Sequence, residues 1–155
     1  MLLVLEGLFL TTPLIIAATL HMIFVRFRLL QGLAKPIDLN LFGANKTWRG
    51  VLLMPIFSVI GVGCAQSLLP WTGFPAESIS FSMGLVPWWG LGLCLGMAYI
   101  AAELPNSYFK RRMGIPAGRL PEKNAFWFSL LDRIDSSIGC ALVYIFVGSI
   151  PALVA

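Results

Sequence analysis

Four long stretches without Asp, Glu, Lys or Arg constrain this chain more than any other feature of its sequence. They cover residues 7–25, 51–69, 83–102 and 136–155. Each is close to the roughly 20 apolar residues that an α-helix needs to cross a bilayer. Only 12% of the residues are charged, which leaves too little polar surface to coat a soluble globule. The sequence therefore predicts an all-α, polytopic transmembrane bundle with about four spanning helices, in a single domain over residues 1–155.

The distribution of basic residues predicts how the chain crosses the membrane. All eleven lie in two segments, one between the first and second stretches and one between the third and fourth. The loop at 70–82 contains Glu77 and no Lys or Arg. Short loops rich in Lys and Arg stay cytoplasmic, so we expect two basic cytoplasmic segments with both termini outside. The first stretch has no basic residue before it, and we expect a retained span of a multi-pass cell (inner) membrane protein.

The net charge of +4 does not indicate a nucleic-acid partner. The basic residues flank the predicted spans, where they orient the protein and attract anionic headgroups. The expected partner is therefore the lipid bilayer, with no nucleic acid. Gly92 and Gly96 form a GxxxG pair within the third span, which favours either an internal packing seam or the face of a homodimer.

A cluster of hydrogen-bond donors lies just before the second span, within the sequence GANKTWRG at 43–50. Its polar side chains are those of Asn45, Lys46, Thr47 and Arg49. Such donors suit phosphate oxygens, since Arg offers paired bonds and Lys a point charge. If a helix begins near Thr47, the N–H groups of its first turn add to the same site. The alternative is a topological anchor with a helix cap.

The second basic segment opens with a carboxylate at the end of the third span. Glu103 directly follows an uncharged stretch, where a carboxylate is costly unless it has a partner or water. Pro105 is expected to interrupt the helix, and Asn106 and Lys110 share a face if a helix resumes after it. The remaining polar side chains here include Ser107, Arg111 and Arg112. The basic ones also have a purely topological interpretation.

A pair of carboxylates precedes the fourth span. Asp132 and Asp135 are three residues apart, so a helix places both on one face, and Ser136 leaves room beside them. Two carboxylates at a membrane boundary repel each other and lose hydration, and Mg²⁺ relieves both effects. The alternative is ion pairs with Arg133 or the other basic residues. Together the three clusters indicate an anion-binding, metal-competent site at the cytoplasmic face.

These motifs carry a family resemblance. The sequences GANKTWRG, ELPNSYFKRRMGIPAG and LLDRIDSSIG, at 43–50, 103–118 and 130–139, resemble the signatures of the CDP-archaeol synthase family, which is related to the CDP-diacylglycerol synthases. The resemblance implies a CTP-dependent cytidylyltransferase that makes a CDP-lipid and pyrophosphate from CTP and a membrane lipid phosphate. The acceptor stays open between an ether-linked isoprenoid glycerophosphate and phosphatidate.

The resemblance also implies roles for individual residues. Asp132 and Asp135 are expected to bind Mg²⁺ and, with Lys46 and Lys110, to be catalytic. The cations expected to hold the triphosphate or the lipid phosphate are Lys46, Arg49, Lys110, Arg111 and Arg112. Neutral hydrogen bonds to substrate are expected from Asn45, Thr47, Asn106 and Ser107. Glu103 is expected to bind a second metal ion or to orient a basic partner.

Two other functions compete with this one. A non-catalytic membrane protein, such as a transporter subunit or an assembly factor, is the main alternative, although the spans carry few of the polar residues that transport requires. A CDP-alcohol phosphotransferase would need a longer Asp-rich helical motif than Asp132 and Asp135 provide. No arrangement of residues indicates a side-chain nucleophile, and His21 is expected to be a packed or interfacial imidazole, not a catalytic base.

Overall fold

The computed structural model describes residues 2–74, 86–119, 121 and 124–154, and every regular element in those ranges is a helix. The α-helices are α1 (Leu2–Leu10), α2 (Thr12–Arg26), α3 (Trp48–Leu68), α4 (Trp88–Arg112) and α5 (Ala125–Val154). Short 3₁₀ turns cover Gln31–Leu33 and Leu69–Trp71. The prediction of an all-α protein is confirmed.

Some sequence predictions fall on residues that the structure does not describe. The loop residue Glu77, the start of the predicted third span at Met83 and the basic residue Lys123 lie outside the described residues. The side chain of Arg133 is also outside them, so the predicted pairing of Arg133 with the carboxylates stays a prediction.

Consecutive long helices pack against each other in antiparallel pairs. Helix α3 lies between α2 and α4, and α5 packs on α4. Gly92 of α4 lies against Val59 of α3, and Gly96 one turn later lies against Pro55, so the two helices run in opposite directions. This alternation brings the start of α3, the end of α4 and the start of α5 to one end of the bundle.

Glycines permit the close approach of these helices. A Cβ atom on Gly96 would lie 2.3 Å from the Cα atom of Pro55, and one on Gly61 would lie 2.3 Å from the carbonyl oxygen of Pro13. Both distances are too short for any side chain. The GxxxG pair therefore forms a packing seam with α3 within the chain, one of the two alternatives that the sequence left open.

Helix α4 continues through Pro105, so the predicted interruption at this residue is wrong. A proline within a helix removes one hydrogen bond, the one to the carbonyl four residues earlier. Pro105 and Ala101 are both exposed, and the ring therefore does not displace a packed neighbour. Because the helix is continuous, Asn106 and Lys110 share one face, and both are buried against α5.

The outer surface of the bundle is rich in apolar side chains. On α5, Ile138, Leu142 and Phe146 recur at helical spacing and are 52%, 47% and 67% exposed. In the described part of the chain, two stretches are long and apolar enough to cross a membrane, Gly7–Arg26 and Trp48–Trp71. Polar Ser58, by contrast, is fully buried.

Candidate active site

The segment before α3, the end of α4, the loop that follows α4 and the start of α5 enclose a cavity of about 400 Å³. It brings together most of the residues that the sequence predicted for the site. Those that line it are Asn45, Lys46, Glu103, Asn106, Ser107, Lys110, Arg111, Asp132 and Asp135. All three sequence motifs therefore contribute to one cavity, although they are far apart along the chain.

The two carboxylates converge on a single amide nitrogen. Nδ2 of Asn106 donates hydrogen bonds to Oδ1 of Asp132 at 2.7 Å and to Oδ2 of Asp135 at 2.8 Å. Asp132 and Asp135 lie one turn apart on α5, so their side chains leave the helix on the same face. Asn106 thus holds together two carboxylates that would otherwise repel each other.

Lys110 forms an ion pair with Asp132. Its ammonium group donates to both carboxylate oxygens, and its side chain is only 7% exposed. The same ammonium lies 5.8 Å from the centre of the Phe128 ring, a distance at which the ring face stabilises a cation. For Asp132, the structure therefore shows the ion pair with a basic residue that the sequence analysis kept as an alternative to a metal ligand.

Asp135 differs from Asp132 in having no cation beside it among the described side chains. It is 9% exposed, and its Oδ1 accepts a hydrogen bond from the Ser136 N–H at 2.6 Å. Among the side chains that the structure describes, no Lys, Arg or His lies within ion-pair distance of it. A buried carboxylate without a compensating cation is strongly destabilised.

This donor set fits a magnesium ion bound together with phosphate. The described residues contain no group of three or more His, Cys, Asp or Glu side chains that could hold a metal ion by themselves. Mg²⁺ commonly binds through one or two carboxylates plus water and substrate phosphates. Asp135 and the exposed part of Asp132 supply such a pair at the cavity wall.

A second ion pair joins the first motif to α4. Nζ of Lys46 lies 2.6 Å from Oε1 of Glu103, and the two side chains are 20% and 34% exposed. The pair lies between the main cavity and a smaller one of about 110 Å³, which both residues also line together with His21 and Thr47. Glu103 therefore has the basic partner that its position at the end of an apolar stretch requires.

Three predicted residues do not line the main cavity. Thr47 is the residue before the first turn of α3 and faces the smaller cavity. Arg49 donates from Nη1 to the carbonyl of Leu29 at 3.1 Å and lines a different cavity. Arg112 is exposed and donates from Nε to the Tyr108 hydroxyl at 3.0 Å. Successive helix residues point about 100° apart, which separates Arg112 from Arg111 in the cavity.

Sequence reasoning missed Arg119 and Ser129, which also line the cavity. Arg119 has only a topological role in the sequence prediction. The loop that carries it turns back through Gly114 and Gly118, at φ +73° and +74°, and Arg111 donates from Nη1 to the carbonyl of Ile115 within it. The two glycines in MGIPAGR, at 113–119, are the sequence feature that could have predicted a loop turning back toward the cavity.

The cavity combines positive charge with the two carboxylates. Its basic side chains are those of Lys46, Lys110, Arg111 and Arg119. Such a set can bind several phosphate oxygens at once, while the carboxylates can hold a divalent cation on the same phosphates. The arrangement therefore suits a nucleoside triphosphate and a second phosphate-bearing substrate.

Comparison with known protein families identifies one match. Residues 1–154 match the family model described as CarS-like, CDP-archaeol synthase. No curated protein and no solved structure matches the chain. The match covers nearly the whole chain and includes all three motifs that build the cavity. This family implies a cytidylyltransferase-type activity, and the chain belongs to the CarS-like, CDP-archaeol synthase family.

Proposed function

We propose that this protein is an integral membrane cytidylyltransferase that converts CTP and a lipid phosphate into a CDP-lipid and pyrophosphate. The acceptor is an ether-linked isoprenoid glycerophosphate or phosphatidate. One observation carries the proposal: the cavity in which Asp132 and Asp135 converge beside phosphate-binding cations, at one end of a bundle with an apolar surface.

The same arrangement supports a place in the membrane. We propose four spans with both termini outside and the cavity at the cytoplasmic face of the cell membrane. The basic segments flank the cavity end of the bundle, as the positive-inside rule requires of cytoplasmic loops. Exposed Ile138, Leu142 and Phe146 on α5 would face lipid chains. A lipid phosphate can then enter from the bilayer while CTP enters from the cytoplasm.

The reaction is a substitution at phosphorus. An oxygen of the lipid phosphate attacks the α-phosphorus of CTP and forms the new P–O bond, while the bond to the bridging oxygen breaks and pyrophosphate leaves with the electron pair. Little covalent work falls to the protein, and positioning and charge neutralisation dominate. Lys46, Lys110 and Arg111 would hold the phosphate oxygens, and their positive charge opposes the repulsion between two anionic substrates.

Asp132 and Asp135 would hold Mg²⁺ in this scheme. The ion supplies neutralisation of charge on the phosphate oxygens when it is bound. Asn106 keeps the two carboxylates together, and Lys110 fixes the orientation of Asp132. Glu103 orients Lys46 toward the cavity.

The test is direct transfer of label from nucleotide to lipid. Purified protein in detergent receives Mg²⁺, CTP labelled at the α-phosphate, and either diacyl phosphatidate or a geranylgeranylated glycerol phosphate. Label in the organic phase with one of these acceptors would establish the reaction and identify the lipid. Protein that neither binds CTP nor transfers label would contradict the proposal and favour a non-catalytic membrane protein.

A further inference from the structure

A second cationic cavity lies next to the start of α3 and shares no lining residue with the candidate active site. Its volume is about 290 Å³, and it is lined by Val25, Arg28, Gln31, Ala34 and Arg49. Two guanidinium groups therefore border one cavity whose described lining contains no carboxylate. The proposed reaction uses none of these residues in this place.

Arg49 is buried, and the described residues provide no counter-charge for it. Arg49 is 8% exposed, and its Nη1 donates to the carbonyl of Leu29 at 3.1 Å. Its Nε is buried and has no acceptor among the described residues. No Asp or Glu among the described side chains lies within ion-pair distance of it. A guanidinium has five N–H donors, and a buried charge without a partner is strongly disfavoured. The surroundings of Arg49 therefore favour the binding of an anion.

The turn after α2 supplies the other half of the site. Arg28 and Leu30 have φ angles of 54° and 51°, in the left-handed region that residues other than glycine seldom adopt. This turn places the Leu29 carbonyl against Arg49 and the Arg28 side chain at the cavity. Two arginines around one space can bind phosphate through several charge-assisted hydrogen bonds.

Apolar side chains accompany the two arginines, which favours a lipid over a soluble anion. Val25 and Ala34 line the cavity, and Phe27 and Leu30, in the same turn as Arg28, are 67% and 50% exposed. Exposed apolar and basic side chains together are typical of surfaces that bind anionic bilayers. We propose that this Arg28–Arg49 cavity binds the phosphate group of an anionic membrane lipid, outside the active site. The inference rests on the proposed membrane placement and not on cytidylyl transfer.

The experiment is lipid binding to the purified full chain, measured by native mass spectrometry from detergent during titration with phosphatidylglycerol. The wild type is expected to bind one molecule more tightly than the rest. Arg28→Gln should weaken that step roughly tenfold or more, the effect of losing one charge-assisted bond. Lys35→Gln is the matched control, since it removes a charge from the same exposed segment but not from the cavity, and should bind like the wild type.

Three outcomes would overturn the proposal. Equal binding by Arg28→Gln and Lys35→Gln would show that the cavity is not the site. Equal binding by Arg28→Gln and the wild type would show the same. Displacement of the lipid by inorganic phosphate at similar concentration would assign the cavity to a soluble anion. Arg28 is the residue to replace because it is exposed, whereas replacement of buried Arg49 can unfold the turn it holds.

The test separates this site from the proposed reaction. Asp135→Asn, in the candidate active site, should bind the one tightly held phosphatidylglycerol molecule as the wild type does. If that variant loses this tight binding together with turnover, the lipid occupies the active site and the proposal fails. Phosphatidylglycerol is a phosphodiester and lacks the terminal phosphate of the proposed acceptors, so its binding is not binding of the substrate.

Discussion

Asp135 is the residue on which the metal assignment depends most, since it is buried and has no described cationic partner. Asp135→Asn keeps the shape and the bond to the Ser136 N–H but removes the charge that would hold Mg²⁺. We expect transfer of label from CTP to lipid to fall by more than roughly 100-fold, beyond the loss typical for outer-shell partners of a metal. The protein should still elute as a folded particle in detergent.

The matched control for Asp135→Asn is Asp38→Asn. Asp38 lies in the first basic segment and lines none of the three cavities named above, and its Oδ1 accepts N–H groups of Asn40 and Leu41 at 2.8 and 2.9 Å. An asparagine oxygen can accept the same bonds, so activity should stay near the wild-type value. Activity retained in Asp135→Asn would contradict the metal assignment.

In the proposed mechanism Asn106 is a positioning residue, because its amide donates hydrogen bonds to both carboxylates. Asn106→Ala leaves Asp132 and Asp135 without the shared donor. We expect a loss of roughly 10–100-fold in activity or in apparent Mg²⁺ affinity, as for other residues that orient metal ligands. Titration of activity with Mg²⁺ measures this, and exposed Asn40→Ala serves as the control. An unchanged Mg²⁺ dependence would exclude the positioning role.

The Lys46–Glu103 pair is tested by a double-mutant cycle with Lys46→Gln and Glu103→Gln. If Glu103 acts by orienting Lys46, the double variant should transfer label no more slowly than Lys46→Gln alone. Both side chains are partly exposed, so we expect the pair to contribute about 1 kcal/mol or less to the free energy of unfolding. Multiplicative losses of activity in the double variant would show that the two residues act independently.

Helix spacing in the sequence predicted which residues share a face but not which faces meet. Asn106 with Lys110, and Asp132 with Asp135, follow from intervals of four and three residues. Their mutual contact depends on the packing of α4 against α5, which no local pattern encodes. The same limit explains Arg49, since a cluster of donors in GANKTWRG does not show that its arginine turns toward Leu29.

At the scale of the elements, apolar stretches predicted where helices lie but not where they end. The third and fourth stretches cover 83–102 and 136–155, whereas α4 runs to Arg112 and α5 begins at Ala125. A charged side chain ends an apolar stretch without ending a helix. Helix α4 extends beyond the end of its apolar stretch, and α5 begins before its own. The catalytic candidates Lys110 and Asp132 lie on these extensions. A rigid helix therefore holds each of them.

The seam between α3 and α4 supports a prediction for a glycine. In Gly96→Ala the new Cβ would meet the backbone of Pro55 and Met54, so the helices must separate. We expect the free energy of unfolding to fall by about 1–3 kcal/mol, as for other overpacked cores, measured by thermal unfolding in detergent. Gly7→Ala is the control, because no described atom outside its chain neighbours and its own helix backbone lies within 4 Å of the new group. Equal stability of both variants would show that the two helices can separate at this seam without cost.

At the scale of the whole molecule, the antiparallel order of α2 to α5 explains why one end is polar. Each helix reverses direction, so the start of α3 and the end of α4 reach the same side as the start of α5. The carbonyl of Lys35 accepts the Trp48 N–H at 3.0 Å, which places the first basic segment at this end as well. Trp71, which is 87% exposed, lies beyond the opposite end of α3.

This geometry supports a test of membrane topology with single cysteines. In a background without Cys64, Cys94 and Cys140, Trp71→Cys should react with a membrane-impermeant maleimide in intact cells. Lys35→Cys should react only after the membrane is permeabilised, because the positive-inside rule places its segment in the cytoplasm. Labelling of both positions in intact cells would show that α3 does not span the membrane. The reverse pattern would invert the orientation and place the candidate active site outside, away from cytoplasmic CTP.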